Sequence, residues 1–218
     1  MSTVTQITEH PRKAGHYVVD VDGREFAVVT ADALAAMKAK VGVVVDDRLA
    51  AHLREATELT SAYDRALNLL AFRARSAREL ERRLLQKGVT AERAARVIAK
   101  LRDVGLIDDG DFARQLARSK VSAGASRRRL HQELFKRGVS REVADEAVDE
   151  VLEEENVDEV AVAERVARKR LPSLKGADVS ARRRRLYAFL ARRGHDSETI
   201  REVMDRVLRD DPDTAATD

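Results

Sequence analysis

A short pattern recurs three times in this chain: LERRLLQKG at Leu80–Gly88, LHQELFKRG at Leu130–Gly138 and LYAFLARRG at Leu186–Gly194. Each copy has two leucines four residues apart, a basic residue before the glycine, and the glycine. Leucines at i and i+4 share one helix face. A glycine can end that helix by taking the left-handed conformation without a Cβ penalty. The segment after each copy repeats too: Ala94, Val97, Ile98 and Leu101; Ala144, Ala147, Val148 and Val151; Ile200, Val203, Met204 and Val207. A repeat period of about 50 residues predicts tandem helical units. Each unit is too small to close its own apolar face, so neighbours must stack.

The rest of the chain is read around that repeat. Residues 1–59 form an N-terminal α+β unit in which 1–15 are expected to be disordered. His16–Asp20 and Arg24–Val29 flank Val21-Asp22-Gly23, a hairpin signal. Thr30 or Asp32 can cap a helix through Met37. Val41–Val45 reads as a third short strand or an apolar connection, and Asp46 or Asp47 can cap a helix to Glu55. The boundary is expected at 56–60. Three-helix, helix-turn-helix-like repeats occupy 60–108, 109–155 and 156–210, then an acidic tail 211–218. Ser76 with Glu79 forms a capping box. Thr90, Ser126, Ser140, Ser180 and Ser197 are the other expected caps. Leu171-Pro172 ends a helix, and a loop with Gly176 comes next. The fold class is mainly all-α, an elongated curved array with a small N-terminal α+β unit.

Several functions are disfavoured. There is no cysteine, hence no disulfide or thiolate zinc site. No apolar run approaches the roughly 20 residues of a membrane span. The start, MSTVTQITEH, lacks the features of a signal peptide, so a cytoplasmic monomer away from membranes is expected. His10, His16, His52, His131 and His195 show no ligand spacing, and there is no phosphate-binding glycine loop. No metal, cofactor or catalytic residue is assigned. Asp108-Asp109 suits a helix start, where negative charge is favourable. A non-enzymatic protein is expected.

The basic residues are more informative. Residues 60–140 carry 19 Lys and Arg against 9 Asp and Glu, whereas 141–160 carry 1 against 10. Two positions before the first leucine of each repeated helix stands an arginine: Arg78, Arg128 and Arg184. That position lies about 160° from the leucine and faces away from the core. Arg75 and Arg82 are placed on the same outward face, with Arg129 and Lys136 beside it in the second unit and Arg185 and Arg192 in the third. Arg73, Arg118, Lys120 and these nine complete the expected binding set. Its alternative is solvated helix surface. The preferred reading is a surface for an anionic polymer or an acidic partner. Lys87, Arg137 and Arg193 need only the preference of cations for a helix's last turn. Tyr63, Phe72, Phe112, Phe135, Tyr187 and Phe189 are read mostly as core.

Ala66–Ser76 (ALNLLAFRARS), the LxxxLxxKG helix, Gly105-Leu106-Ile107-Asp108-Asp109 with Phe112-Ala113, and the LxxFLxRRG of the third unit together resemble the bacterial regulatory protein RecX family. The resemblance spans about 60–210 as an ordered set. It implies an array of three-helix repeats that binds the RecA recombinase and RecA filaments on DNA. It also implies that filament extension, ATP hydrolysis and strand exchange are inhibited, in DNA repair, homologous recombination and the SOS response. Gly194-His195-Asp196 departs from the commoner Gly-apolar pattern. The alternative is a free-standing DNA-binding protein, either sequence-tolerant on single or double strands or using one helix pair as a helix-turn-helix. Spread of the basic residues over three units argues against a single recognition helix.

Overall fold

Asp22 and Gly23 both take positive φ, 51° and 78°, as a two-residue turn matched to strand twist requires. They join β2 (His16–Val21) to β3 (Arg24–Thr30) in the computed structural model, which describes residues 1–174 and 178–210. The expected loop around Gly176 lies partly, and the tail 211–218 wholly, outside the described residues. Among the described residues ten helices come after the strands: α1 (Ala31–Met37), α2 (Asp47–Phe72), α3 (Ala77–Gln86), α4 (Ala91–Asp103), α5 (Asp109–Ser122), α6 (Arg127–Lys136), α7 (Arg141–Glu154), α8 (Glu159–Arg170), α9 (Val179–Arg192) and α10 (Ser197–Arg209). Two compact units result: Met1–Ala74 with Leu80–Leu106, and Arg75–Glu79 with the chain from Ile107 onward.

The first unit holds a three-stranded antiparallel sheet in the order β1-β2-β3. β1 (Val4–Glu9) lies where disorder was expected. Its Val4 is buried opposite Val21, and Ile7 pairs with Val19. Apolar residues spaced along a polar stretch are enough for an edge strand once a hairpin is there to receive them. Val41–Val45 contributes one bridge, Val44 to Thr3, and no strand. Val19, Ala27 and Val29 pack with Leu53 of α2.

The expected boundary at 56–60 falls inside α2, which runs unbroken for 26 residues. No Gly or Pro interrupts Asp47–Phe72, so nothing in the sequence stops the helix. Its first half packs on the sheet through Leu53, and Ala62 and Ala66 are buried further along. Arg93 and Arg96 of α4 meet Glu55 at 2.6 and 3.2 Å, and Asp64 takes Lys13 at 2.6 Å and His16 at 3.1 Å.

The second unit contains two complete three-helix repeats. In one, α5 and α6 pack on α7 around Leu130, Leu134, Ala144, Val148 and Val151. In the other, α8 and α9 pack on α10 around Leu186, Leu190, Ile200, Val203 and Val207. The repeated leucines are at most 1 % exposed, and burying each contributes about 1.5–3 kcal/mol. Two caps differ from expectation. Asp178, not Ser180, caps α9 by accepting from the Ala181 N–H at 2.8 Å, and Asp196, not Ser197, caps α10. A carboxylate one or two residues earlier is an equally good cap and lengthens the helix.

Candidate nucleic-acid interface

The glycine-ended helices are joined by a repeated device within the second unit. Ser76 accepts the Glu79 N–H at 3.1 Å and donates its hydroxyl to the Arg137 carbonyl oxygen. Ser126 accepts the Arg129 N–H at 3.3 Å, and its own N–H and hydroxyl both reach the Arg193 carbonyl oxygen. The start of one repeated helix is thereby docked on the end of the next. Gly138 is required there: a Cβ on it would stand 2.8 Å from the Arg78 Cβ. In the first unit the matching carbonyl, that of Lys87, accepts from the Arg65 side chain at 3.1 Å. The acids Asp108 and Asp109 both serve helix starts. Asp108 caps α5, and Asp109 accepts the Ala77 N–H at 2.8 Å.

This frame sorts the expected binding residues. Arg78, Arg128 and Arg184 are all exposed and all belong to the second unit. Arg78 rests its stem on Gly138, and Arg184 donates to the Ser180 hydroxyl at 3.0 Å. Arg185 and Arg192 are exposed in the same unit and Lys120 is half-buried. Arg73 and Arg82 belong to the first unit; Arg82 is exposed, and Arg73 donates to the Ala74 carbonyl at 3.0 Å. Among the described residues Arg78, Arg82, Lys120, Arg128, Arg184, Arg185 and Arg192 make no ion pair.

Other members of the set are engaged within the protein. Arg75 is not on the outward face. It precedes the Ser76 cap, so helical angles do not apply to it, and it is 8 % exposed with Glu79 at 2.5 Å. Arg137 approaches the same carboxylate at 3.5 Å. Arg129 and Lys136 share Glu133 at 2.6 and 3.8 Å, and Arg118 meets Glu154 at 2.6 Å.

The acidic stretch 141–160 now has a structural account. α7 lies along α5 and α6, where Glu150 and Glu154 face Arg114 and Arg118, Asp149 pairs with Arg127, and Asp145 meets His131 at 3.0 Å. These pairs are partly or largely exposed, so each adds little to stability. Their larger effect is to neutralise one side of the second repeat. The remaining unpaired cations are therefore a selected subset, which charge counting along the sequence cannot separate.

Several aromatics also depart from the core reading. Phe112 is buried, but Phe72, Phe135 and Tyr187 are exposed, and Phe189 lies under the Arg193 guanidinium at 4.4 Å. Arg165, Lys169 and Arg170 of α8 were absent from the expected set. No repeat register marks them, and only the packing of α8 beside α9 brings them to Phe189. Among the described residues no helix is long and apolar enough to cross a membrane, and no group of His, Asp or Glu could hold a metal ion.

Comparison with known proteins bears on the whole arrangement. Residues 62–101, 108–148 and 157–204 match the family models described as the first, second and third three-helix domains of RecX. The regulatory protein RecX of Chlorobium phaeobacteroides (strain BS1) is 34% identical over 154 residues, 70% of this chain and 97% of that protein. That of Mycolicibacterium smegmatis is 37% identical over 141 residues, 63% of this chain and 74% of that protein. A crystal structure of a regulatory protein RecX superimposes with a TM-score of 0.74 at 21% identity, over 94% of this chain and all of that one, which shows a shared fold. With all three repeat domains matched in order and a 34% identical relative aligned over 97% of its length, the chain belongs to the RecX family of regulatory proteins.

Proposed function

We propose that this RecX-type regulator acts by binding the RecA recombinase and RecA–DNA filaments, limiting filament extension and lowering ATP hydrolysis and strand exchange. It works in the cytoplasm as a monomer, through binding rather than catalysis. The observation that carries the reading is the recurrence of Arg78, Arg128 and Arg184 at one register position, each exposed and each without an ion pair among the described residues. Such cations can meet DNA phosphates or an acidic protein surface, and phosphate contacts position a protein without reading sequence. The test is a pull-down with purified RecA, with and without single-stranded DNA, beside RecA's DNA-dependent ATP hydrolysis. Capture of RecA and a dose-dependent fall in hydrolysis are expected. No capture, together with tight binding to one preferred duplex sequence at high salt, selects the free-standing DNA-binding reading instead.

A further inference from the structure

Arg165, Lys169, Arg170 and Arg193 line a hollow of about 570 Å³ whose apolar wall is Val166 and Phe189. All of them belong to the second unit. The Arg193 guanidinium stands 4.4 Å from the Phe189 ring centroid and that of Arg170 stands 5.6 Å from it. Among the described residues none of the four cations is paired with an acid. Glu155 and Asp158 line an adjoining hollow with Arg165 but form no ion pair with it. The Arg193 Nε is buried and has no hydrogen-bond partner among the described residues.

Cations at helix ends are usually accounted for by the exposed carbonyls there. Here those carbonyls are already served. At the end of α5 the N–H groups of Gly124 and Ala125 bond to the carbonyls of Val121 and Lys120 at 2.8 and 3.0 Å. At the end of α9 those of Arg193 and Gly194 bond to Leu190 and Ala191 at 3.0 and 2.9 Å. The Ser173 hydroxyl donates to the Arg170 carbonyl at 2.7 Å. Among the described residues the side-chain charges are therefore not spent on helix-end carbonyls or on acids.

Guanidinium groups stacked on a ring keep their in-plane N–H donors for phosphate oxygens. A ring and guanidinium together form a platform for a flat base. An acidic peptide brings the charge without the flat apolar surface, and a duplex hides its base faces. We propose that this hollow holds one nucleotide of a single-stranded polynucleotide, its phosphate against Arg165, Lys169 and Arg193 and its base against the Phe189–Arg170 stack. The proposal rests on the reading that the protein works on DNA-bound RecA, and it adds a nucleic-acid site outside the recurring arginines.

The test is fluorescence anisotropy of a short labelled oligodeoxythymidylate with the full-length chain, across a range of salt and with no recombinase present. The double variant Arg165→Gln, Lys169→Gln is compared with the parent, and thermal melts are run on both. Removal of two phosphate contacts lowers the slope of log affinity against log salt by about 1.4. Phe189→Leu weakens binding about fivefold or more. Arg170→Gln, one exposed substitution, is measured alongside so that a poorly folded double variant still leaves a decision. A parent-like slope in the folded double variant, or parent-like affinity in folded Arg170→Gln, overturns the proposal. So does an equal loss on a duplex of the same length, or displacement of the oligonucleotide by a polyglutamate peptide at lower concentration than by unlabelled oligonucleotide. Failure of the RecA reading appears in the pull-down and leaves these curves unchanged, whereas failure of the hollow appears here alone.

Discussion

Ser126 closes on Arg193 with its backbone N–H at 3.2 Å and its hydroxyl at 3.3 Å, both directed to one carbonyl oxygen. Ser76 meets Arg137 in the same way through its hydroxyl. A residue that caps its own helix therefore also caps the end of another. This couples helix stability to the joint between repeats, because the same hydroxyl serves two orphan backbone groups.

Glu79 should be the most sensitive polar residue of that joint. Only 3 % exposed, it faces Arg75 at 2.5 Å and Arg137 at 3.5 Å. Breaking a buried pair by removing one partner costs about 3–5 kcal/mol. Glu79→Ala is expected to lower unfolding stability by about that amount, with Glu79→Gln costing less because it keeps a hydrogen-bond acceptor. Urea denaturation of the three proteins checks the order.

Gly88 and Gly138 offer a matched pair. Their φ angles are 82° and 80°, so an alanine at either is strained by the backbone alike. A Cβ at Gly88 meets nothing within 4 Å, whereas one at Gly138 meets the Arg78 stem at 2.8 Å. Gly88→Ala should cost about 1–2 kcal/mol. Gly138→Ala should cost about 1–3 kcal/mol more through overpacking. Equal thermal shifts would show that the joint yields freely.

Charge reversal of Arg78, Arg128 and Arg184 together should leave the fold intact and abolish inhibition of RecA's DNA-dependent ATP hydrolysis. Exposed substitutions usually change stability by about 0.5 kcal/mol or less, although the stem of Arg78 on Gly138 adds a local packing loss. Leu84→Ala should behave oppositely. It is fully buried, so a cavity costs about 2–5 kcal/mol, and inhibition should fall only as folded protein is lost. Melts and inhibition curves on both variants separate these outcomes. Normal melting with parental inhibition would reduce the three arginines to solvated surface.

Acid should weaken the second unit through His195. Its Nε2 donates to the Gly124 carbonyl at 3.3 Å, and its buried Nδ1 has no hydrogen-bond partner among the described residues. Burial is the main cause that holds its pKa below the ordinary 6.5, with the neighbouring Arg193 acting the same way and Glu159, Asp196 and the Gly124 hydrogen bond opposing. The unfolded chain therefore takes up the proton first. The stabilisation from the neutral ring is present above the unfolded pKa and is lost as pH falls through about 6.5. Thermal midpoints should fall between about pH 7.5 and 5.5, and His195→Gln should narrow the drop. An unchanged drop in the variant would assign the acid sensitivity elsewhere.

The sequence by itself determined the repeats. Leucines at i and i+4, a glycine after a basic residue, and a cap before the next apolar face are local signals. Leu80, Leu84, Leu130, Leu134, Leu186 and Leu190 are accordingly all buried, and the hairpin at Asp22-Gly23 was equally local. Tertiary structure decided what depends on neighbours distant in the chain. β1 forms because Val4 and Ile7 find β2, and α2 passes through residue 60 because no breaker stands there and both of its halves have something to cover. The binding surface was legible only in part. Register placed Arg78, Arg128 and Arg184 outward, since a helix face is set by spacing alone. It could not show that Glu79 withdraws Arg75, that α7 neutralises Arg114, Arg118 and Arg127, or that α8 brings Arg165, Lys169 and Arg170 beside Phe189. A charge becomes available or is cancelled by whatever packs within a few ångströms of it, and only the folded chain sets that distance.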